Sequence, residues 1–342
     1  MRSKAIFLLA LLCLTHYASV SAAAAAPPAT ASTGALACDL SERVTPGETW
    51  RDPSPHRCGY VRWNGLRIHY LDWGGKGPVL IFLPGTGASA HVFDDFAPRF
   101  TKRFRVLAIT PPGYGESDTP DSSLTVDDVA AAVRAVLDSL HIERAHFAAH
   151  SISGAAITRL ASRHPKRVGK LIYLDSTFDY TPDQVVIPRL EPPTGGFHSV
   201  SDRREWMKKA FGFWSDAIEA EMWAALVSPE ETQRRKKVQA SLLEDAREHP
   251  KEYSEVRSPA LSIWALKSFE MQCPWVDRAD TAVVARMKAT FEARRQWEAK
   301  SMERFRREMK HRRVVAFPAT HGVFLTGPDR TEREMITFLL HS

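Results

Sequence analysis

The chain has 342 residues, of which 44% are hydrophobic and 25% charged, the ordinary balance of a soluble globular protein. Its formal net charge of +6 falls to about +4 if a leader carrying Arg2 and Lys4 is removed. Most of the surplus lies between Arg286 and Arg313, where Glu292, Glu298, Glu303 and Glu308 are interleaved with Met287, Phe291, Trp297, Met302 and Phe305 at helical spacing. That pattern is an amphipathic helix with a solvated charged face. No nucleic-acid module accompanies it, which argues against nucleic acid as a partner.

At the amino terminus, Arg2 and Lys4 precede a short apolar run, the polar break Thr15-His16-Tyr17 and the small-residue tract 21–26. Charged start, apolar centre and A-x-A-like exit describe a secretory signal peptide over 1–25. Thr15 and His16 interrupt the run well before the roughly 20 apolar residues of a membrane span, so no stable span is expected after cleavage. The expected location is secreted or periplasmic. Residues 26–58 read as an N-terminal extension whose first part, 27–34, is a flexible tether. Export favours a disulfide, and Cys38–Cys58 is the pair that would staple this extension to the first strand; the alternative is that Cys38, Cys58 and Cys273 are all free. No cysteine pair has C-x-x-C spacing, so neither zinc nor any other metal is expected.

Asn64-Gly65 within Val61-Arg62-Trp63-Asn64-Gly65-Leu66-Arg67-Ile68 supplies the positive φ values of a tight hairpin. Short apolar runs follow at 78–83, 104–109, 145–149, 171–174, 260–266 and 314–317. Helical patterns lie near 90–100, 125–140, 152–163, 277–311 and 330–340. Thr125 with Asp128 caps the second of these. Continuous apolar strands alternating with helices predict a mostly parallel α/β sheet covered on both faces. The alternation breaks once: 176–258 holds a Pro- and Gly-rich entry and then helical, aromatic-rich sequence (Trp206, Phe211, Phe213, Trp214, Trp223). This segment reads as a helical cap inserted between two core segments, 59–175 and 259–342.

Four segments bear on chemistry. Phe147-Ala148-Ala149-His150-Ser151-Ile152-Ser153-Gly154 is an apolar run that turns at a serine with small residues two positions to either side, as a sharp strand-to-helix turn demands. The others are Leu83-Pro84-Gly85-Thr86-Gly87, Pro112-Gly113-Tyr114-Gly115-Glu116-Ser117 and Ala319-Thr320-His321-Gly322. In this order and at these spacings the chain resembles an α/β-hydrolase over roughly residues 60–340. The passage His164-Pro165-Lys166-Arg167-Val168 into Leu171-Ile172-Tyr173-Leu174-Asp175 matches the same family.

The resemblance implies a metal-free and cofactor-free serine hydrolase. Ser151 would be the nucleophile and His321 its general base, in the family's Ser-acid-His order. The N–H groups of Thr86 and Ile152 would form the oxyanion hole, and His150 would pack beside the turn. The acid departs from the pattern. An Asp is expected near Ser268 and is absent, which leaves Asp175 at the end of the preceding strand as the favoured residue. Glu270 is the alternative and Asp179 a third. A serine rather than a carboxylate at 151 points to acyl transfer to water, hence a carboxylic-ester hydrolase acting on a small molecule with an acyl group. Two other readings stay open. The same machinery could serve a peptidase, lactonase or carbon–carbon hydrolase, with Glu205, Glu219 or Glu221 holding a substrate ammonium in the peptidase case. A non-catalytic binding protein on this scaffold is the other.

Overall fold

The computed structural model describes residues 42–45, 48–51, 54–182, 190, 200–211 and 229–341. The signal peptide, the tether, Cys38, Phe213, Trp214, Glu219, Glu221 and Trp223 lie outside the described residues. A two-stranded hairpin of β1 (Glu42–Thr45) and β2 (Glu48–Arg51) occupies part of the extension, where the sequence showed no strand signal. The central sheet has eight strands: β3 (Arg57–Trp63), β4 (Leu66–Gly74), β5 (Val79–Leu83), β6 (Arg105–Ile109), β7 (Ala145–His150), β8 (Val168–Leu174), β9 (Ala260–Leu266) and β10 (Arg312–Pro318). Their order is β10-β9-β8-β7-β5-β6-β4-β3. From β10 to β6 all neighbours are parallel, and the β3–β4 hairpin joins antiparallel at the β6 edge. Asn64 (φ 48°) and Gly65 (φ 83°) turn that hairpin, pairing Trp63 with Leu66.

Strand alternation sorts the core into two layers. Ile81, Leu83, Phe147, Ala149, Leu171 and Tyr173 face α1 (Val126–Ser139) and α2 (Ser153–Arg163) through Val133, Val136, Ile157 and Leu160. Leu80, Phe82, Ala148, Ile172 and Leu174 face the opposite layer, built from Phe93, Phe96, Phe100, Phe324 and the C-terminal helix Pro328–Leu340. Each fully buried Phe here contributes about 1.5–3 kcal/mol of apolar transfer free energy. Thr125 and Asp128 form a complete capping box on α1. The pattern near 90–100 is not one helix but two single 3₁₀ turns, Ala90–Phe93 and Ala97–Phe100. Pro98, in the first turn of the second, has no N–H to continue a ladder from the first.

Between β8 and β9 the described residues hold helices and no strand: α3 (Val200–Phe211), α4 (Pro229–Glu248) and a 3₁₀ turn at Tyr253–Glu255. Helix α4 is tied to the loop after β6 and to the start of α1. Gln239 Nε2 donates to the Gly113 carbonyl (3.2 Å), Arg235 to the Gly115 carbonyl (2.8 Å), and Asp245 accepts from the Val126 N–H (2.8 Å). After β9 comes α5 (Thr281–Glu308). It buries Met287, Phe291, Trp297 and Phe305 as the spacing predicts, but also Glu298. Glu298 is therefore not on the solvated face: it turns inward, where the end of β9 presents a lysine. None of the described helices is long and apolar enough to cross a membrane. Cys58 is in a disulfide whose partner lies outside the described residues, and Cys273 is a buried free thiol.

Candidate active site

The strand β7 ends at His150, and the next residue, Ser151, has φ 55°. A left-handed conformation costs a residue with a Cβ about 1–2 kcal/mol, so the surroundings must impose it. The Ser151 N–H donates to Leu174 O (3.4 Å), and its carbonyl accepts from the Gly154 N–H (3.2 Å) and Ser176 Oγ (2.6 Å). Small flanking residues are a steric requirement. Ser153 Oγ reaches the Pro84 carbonyl at 2.5 Å, which fastens the turn to the loop after β5. A Cβ on Gly154 would sit 2.6 Å from the Ser176 carbonyl oxygen. One on Gly85 would sit 2.7 Å from His150 Nδ1 and 2.8 Å from Ser151 Cβ. The glycine at 85 thus lets Thr86 approach the serine turn.

Neither the Thr86 nor the Ile152 N–H donates to another described group. Ile152 stands at the N-cap of α2, where N–H groups have no intrahelical acceptor and the helix dipole favours negative charge. The Tyr180 phenol interacts with the Ser151 hydroxyl. The Tyr114 phenol approaches the Thr86 side chain without reaching hydrogen-bond geometry.

His321 lies in the turn after β10, and its Nδ1–H donates to Asp175 Oδ2 at 2.7 Å. Its side chain is 38% exposed while that of Asp175 is 0% exposed. With Nδ1 engaged, Nε2 is the nitrogen left for a substrate or nucleophile. No hydrogen bond joins Ser151 to His321 among the described residues, a contact that in unliganded sites often tightens only with substrate. His150 packs against His321 with ring centroids 4.5 Å apart and donates from Nε2 to the His321 carbonyl (3.1 Å). Burial, with the neighbouring His321, pushes the His150 imidazole down to about 3, so it is neutral and structural in the working range.

Asp175 also has a positive φ, 44°, which a short polar side chain tolerates. Oδ1 accepts the Ala265 N–H (3.1 Å) and Oδ2 accepts a second donor, Lys267 Nζ, at 2.8 Å. Burial would raise this carboxyl, but the Lys267 ammonium and His321 together hold it below its ordinary range. Of the three carboxylates considered from sequence, the structure brings Asp175 alone to His321. Glu270 is exposed on the turn Phe269–Gln272 and interacts with Ser268, and Asp179 pairs with Arg304 at 2.9 Å. Glu205 is exposed and pairs with Lys208 at 3.1 Å.

An aromatic wall stands beside His321. Phe178 lies 5.7 Å from its ring, stacks on Trp297 at 5.1 Å and meets Trp264 edge-on at 5.2 Å. Ile152, Tyr114, Tyr180, Val238 and Leu242 belong to the same apolar cluster, so α4 contributes to the apolar surroundings of the serine turn. Sequence reasoning missed Lys267, Tyr180 and Phe178. Lys267 was the detectable one, since it stands at the end of β9 one residue before the position where an acid was sought.

Among the described residues, two overlapping and mostly buried groups elsewhere could hold a metal ion: His56, His91 and Asp94, and His69, His91 and Glu116, with donor atoms within 4.8 Å. Ring nitrogens in both already serve protein hydrogen bonds, His91 Nδ1 to Asp94 Oδ2 (2.8 Å) and His69 Nδ1 to Thr110 Oγ1 (2.9 Å). These groups share no residue with Ser151, Asp175 and His321.

A parallel sheet wrapped by helices, with a strained serine turn at the carboxyl end of β7 and a His–Asp pair at the ends of β10 and β8, defines a hydrolase of α/β architecture. The chain belongs to the alpha/beta hydrolase fold family, whose pattern it matches over residues 78–328. It is 36% identical over 114 residues to a 2-hydroxy-6-oxononadienedioate/2-hydroxy-6-oxononatrienedioate hydrolase of Paraburkholderia phymatum, covering 32% of this chain and 40% of that protein. The chain thus spans about two fifths of the length of the curated relatives it matches. Among solved structures, a bacterial membrane phospholipase A has a TM-score of 0.58 at 20% identity, covering 84% of this chain and 86% of the other. A probable hydrolytic enzyme of Pseudomonas aeruginosa has a TM-score of 0.60 at 19% identity, covering 84% and 95%. At these identities the structural likeness concerns the fold.

Proposed function

We propose that this hydrolase cleaves carboxylic esters through an acyl-enzyme on Ser151. The observation that carries the reading is the pairing of a strained serine turn with a histidine whose Nδ1–H is held by a fully buried carboxylate. In this mechanism His321 Nε2 takes the Ser151 proton as Oγ attacks the ester carbonyl. Asp175 fixes the imidazole tautomer and stabilises the imidazolium. The undonated N–H groups of Thr86 and Ile152 take the developing oxyanion. The imidazolium then gives its proton to the leaving alkoxide, and water deacylates the serine by the same route. The aromatic wall of Phe178, Trp264 and Trp297 favours an apolar acyl or alcohol group, and the helices between β8 and β9 act as the cap over it.

The relative from Paraburkholderia phymatum motivates a second reading, carbon–carbon bond hydrolysis by the same residues. A fluorophosphonate probe followed by a panel of graded acyl esters, a lactone and a vinylogous diketone separates the two. Labelling of Ser151 with ester turnover supports the first. Labelling with diketone cleavage alone replaces it with the second, and no labelling of the folded chain overturns both.

A further inference from the structure

Asp175 Oδ2 accepts two donors at nearly equal distances, His321 Nδ1 at 2.7 Å and Lys267 Nζ at 2.8 Å. The lysine side chain is 3% exposed and the aspartate 0%. Lys267 also reaches Glu298 Oε1 at 3.3 Å, and Glu298 is held by Arg294 Nε at 3.0 Å. A row of alternating charge therefore runs from α5 through the end of β9 to the catalytic histidine. We infer that Lys267 is a positioning residue of the Asp175–His321 pair: its ammonium keeps the carboxylate ionised and limits how strongly that carboxylate favours the protonated imidazole.

Charge at a buried carboxylate governs this pair. A fully buried carboxylate with a single imidazole partner gains stability chiefly by protonating that partner or itself. Lys267 offers a second, positively charged partner on the same oxygen, so Asp175 remains an ionised acceptor for the His321 Nδ1–H. The other groups facing this site do not supply it. His150, from the end of β7, is neutral, and Tyr180, after β8, has its phenol pushed up by burial and so stays protonated. Glu298 and Arg294 cancel each other. With all four ionised residues present, Asp175, Lys267, Glu298 and Arg294 sum to zero beside a neutral imidazole. Without Lys267 the row carries one net negative charge, which attracts a proton to His321.

This inference rests on the proposed serine-hydrolase chemistry for its kinetic readout, and a spectroscopic readout stands apart from it. The acid limb of kcat/KM against pH reports the base in the free enzyme. Proton NMR of the His321 Nδ1–H resonance follows the same titration without turnover. In Lys267→Met both should move upward by about one pH unit. Lys267→Arg, which retains the charge, should hold the wild-type position. The double variant K267M/E298Q restores a neutral row and should return most of the way; Glu298→Gln alone leaves the row one positive, should move both titrations downward, and carries the comparison if K267M does not fold. A purely structural lysine would lower stability in K267M and leave both titrations in place. Unmoved titrations in folded K267M, or in its absence unmoved titrations in E298Q, overturn the inference. If the NMR titration moves as expected while wild-type Ser151 neither labels nor turns over ester, the hydrolase reading fails and the positioning role stands.

Discussion

Asp175 and His321 stand 146 residues apart in the chain and meet at 2.7 Å. The contact spans three neighbouring strands of the sheet: Asp175 follows β8, His321 follows β10, and β9 lies between them. Asp175 reaches across because its positive φ turns it away from β8, while its N–H donates to Ile263 O at 2.8 Å and Oδ1 accepts from Ala265. The backbone of β9 thereby holds the carboxylate on which His321 depends.

Separate Asp175→Asn and Glu270→Gln variants test this arrangement. D175N removes the acceptor charge and should lower kcat by about 10³–10⁴-fold. It also leaves the Lys267 ammonium without its closest partner, which should cost about 3–5 kcal/mol in denaturant unfolding. E270Q, altered at an exposed turn, should keep wild-type kcat within about twofold and unchanged stability. Full turnover in D175N would refute the assignment.

The strain at Ser151 predicts opposite responses of activity and stability. Ser151→Gly removes the proposed nucleophile, and ester turnover should fall by at least about 10³-fold. Glycine adopts φ 55° without the Cβ penalty, so the folded state should gain about 1 kcal/mol. Thermal unfolding of the purified variant measures this. A lowered melting temperature would show that the turn is not strained.

Gly85→Ala should damage the site without replacing any of the proposed reacting residues. The added methyl would meet His150 Nδ1 at 2.7 Å and Ser151 Cβ at 2.8 Å, both closer than ordinary contact. Shifting the Thr86 loop to relieve the clash moves one of the proposed oxyanion donors. The expectation is a fall of about 10²-fold or more in kcat, with a smaller change in KM. Steady-state kinetics on an activated ester decides it, and wild-type kcat would count against Thr86 as a donor.

Acid sensitivity follows from two partly buried histidines. Burial pushes His150 down to about 3; burial, together with Lys170, pushes His146 down to about 4. Unfolded, both take a proton near pH 6.5. Between those values the unfolded chain binds more protons, so stability rises with pH through the window and is complete above it. Asp175, whose carboxyl is depressed by Lys267 against the cost of burial, adds a loss at still lower pH. Chemical denaturation from pH 7 down to pH 4 should show falling stability, and His146→Gln should flatten the slope. A flat wild-type profile would contradict the burial of these rings.

Local pattern carried most of the fold. Strands β5 to β10 were legible because a strand covered on both faces must be apolar at successive positions, as in Leu80, Ile81, Phe82 and Leu83. The hairpin was legible because Asn64-Gly65 alone supplies its backbone angles, and the start of α1 because Thr125 and Asp128 satisfy each other's backbone. Single turns were not legible: Ala90–Phe93 and Ala97–Phe100 share the apolar spacing of one helix, and periodicity does not report where a hydrogen-bond ladder breaks.

Residues near one another in the chain were enough to read the core strands, most of the helices, the serine turn and the place of His321 after the last strand. Only the folded chain brings Asp175, rather than Glu270 or Asp179, against His321, and only there does Glu298 turn inward. It also placed Lys267 on the same oxygen as His321. These are electrostatic pairings across separate strands and α5, set by distance and burial in three dimensions, and no spacing along the chain encodes them.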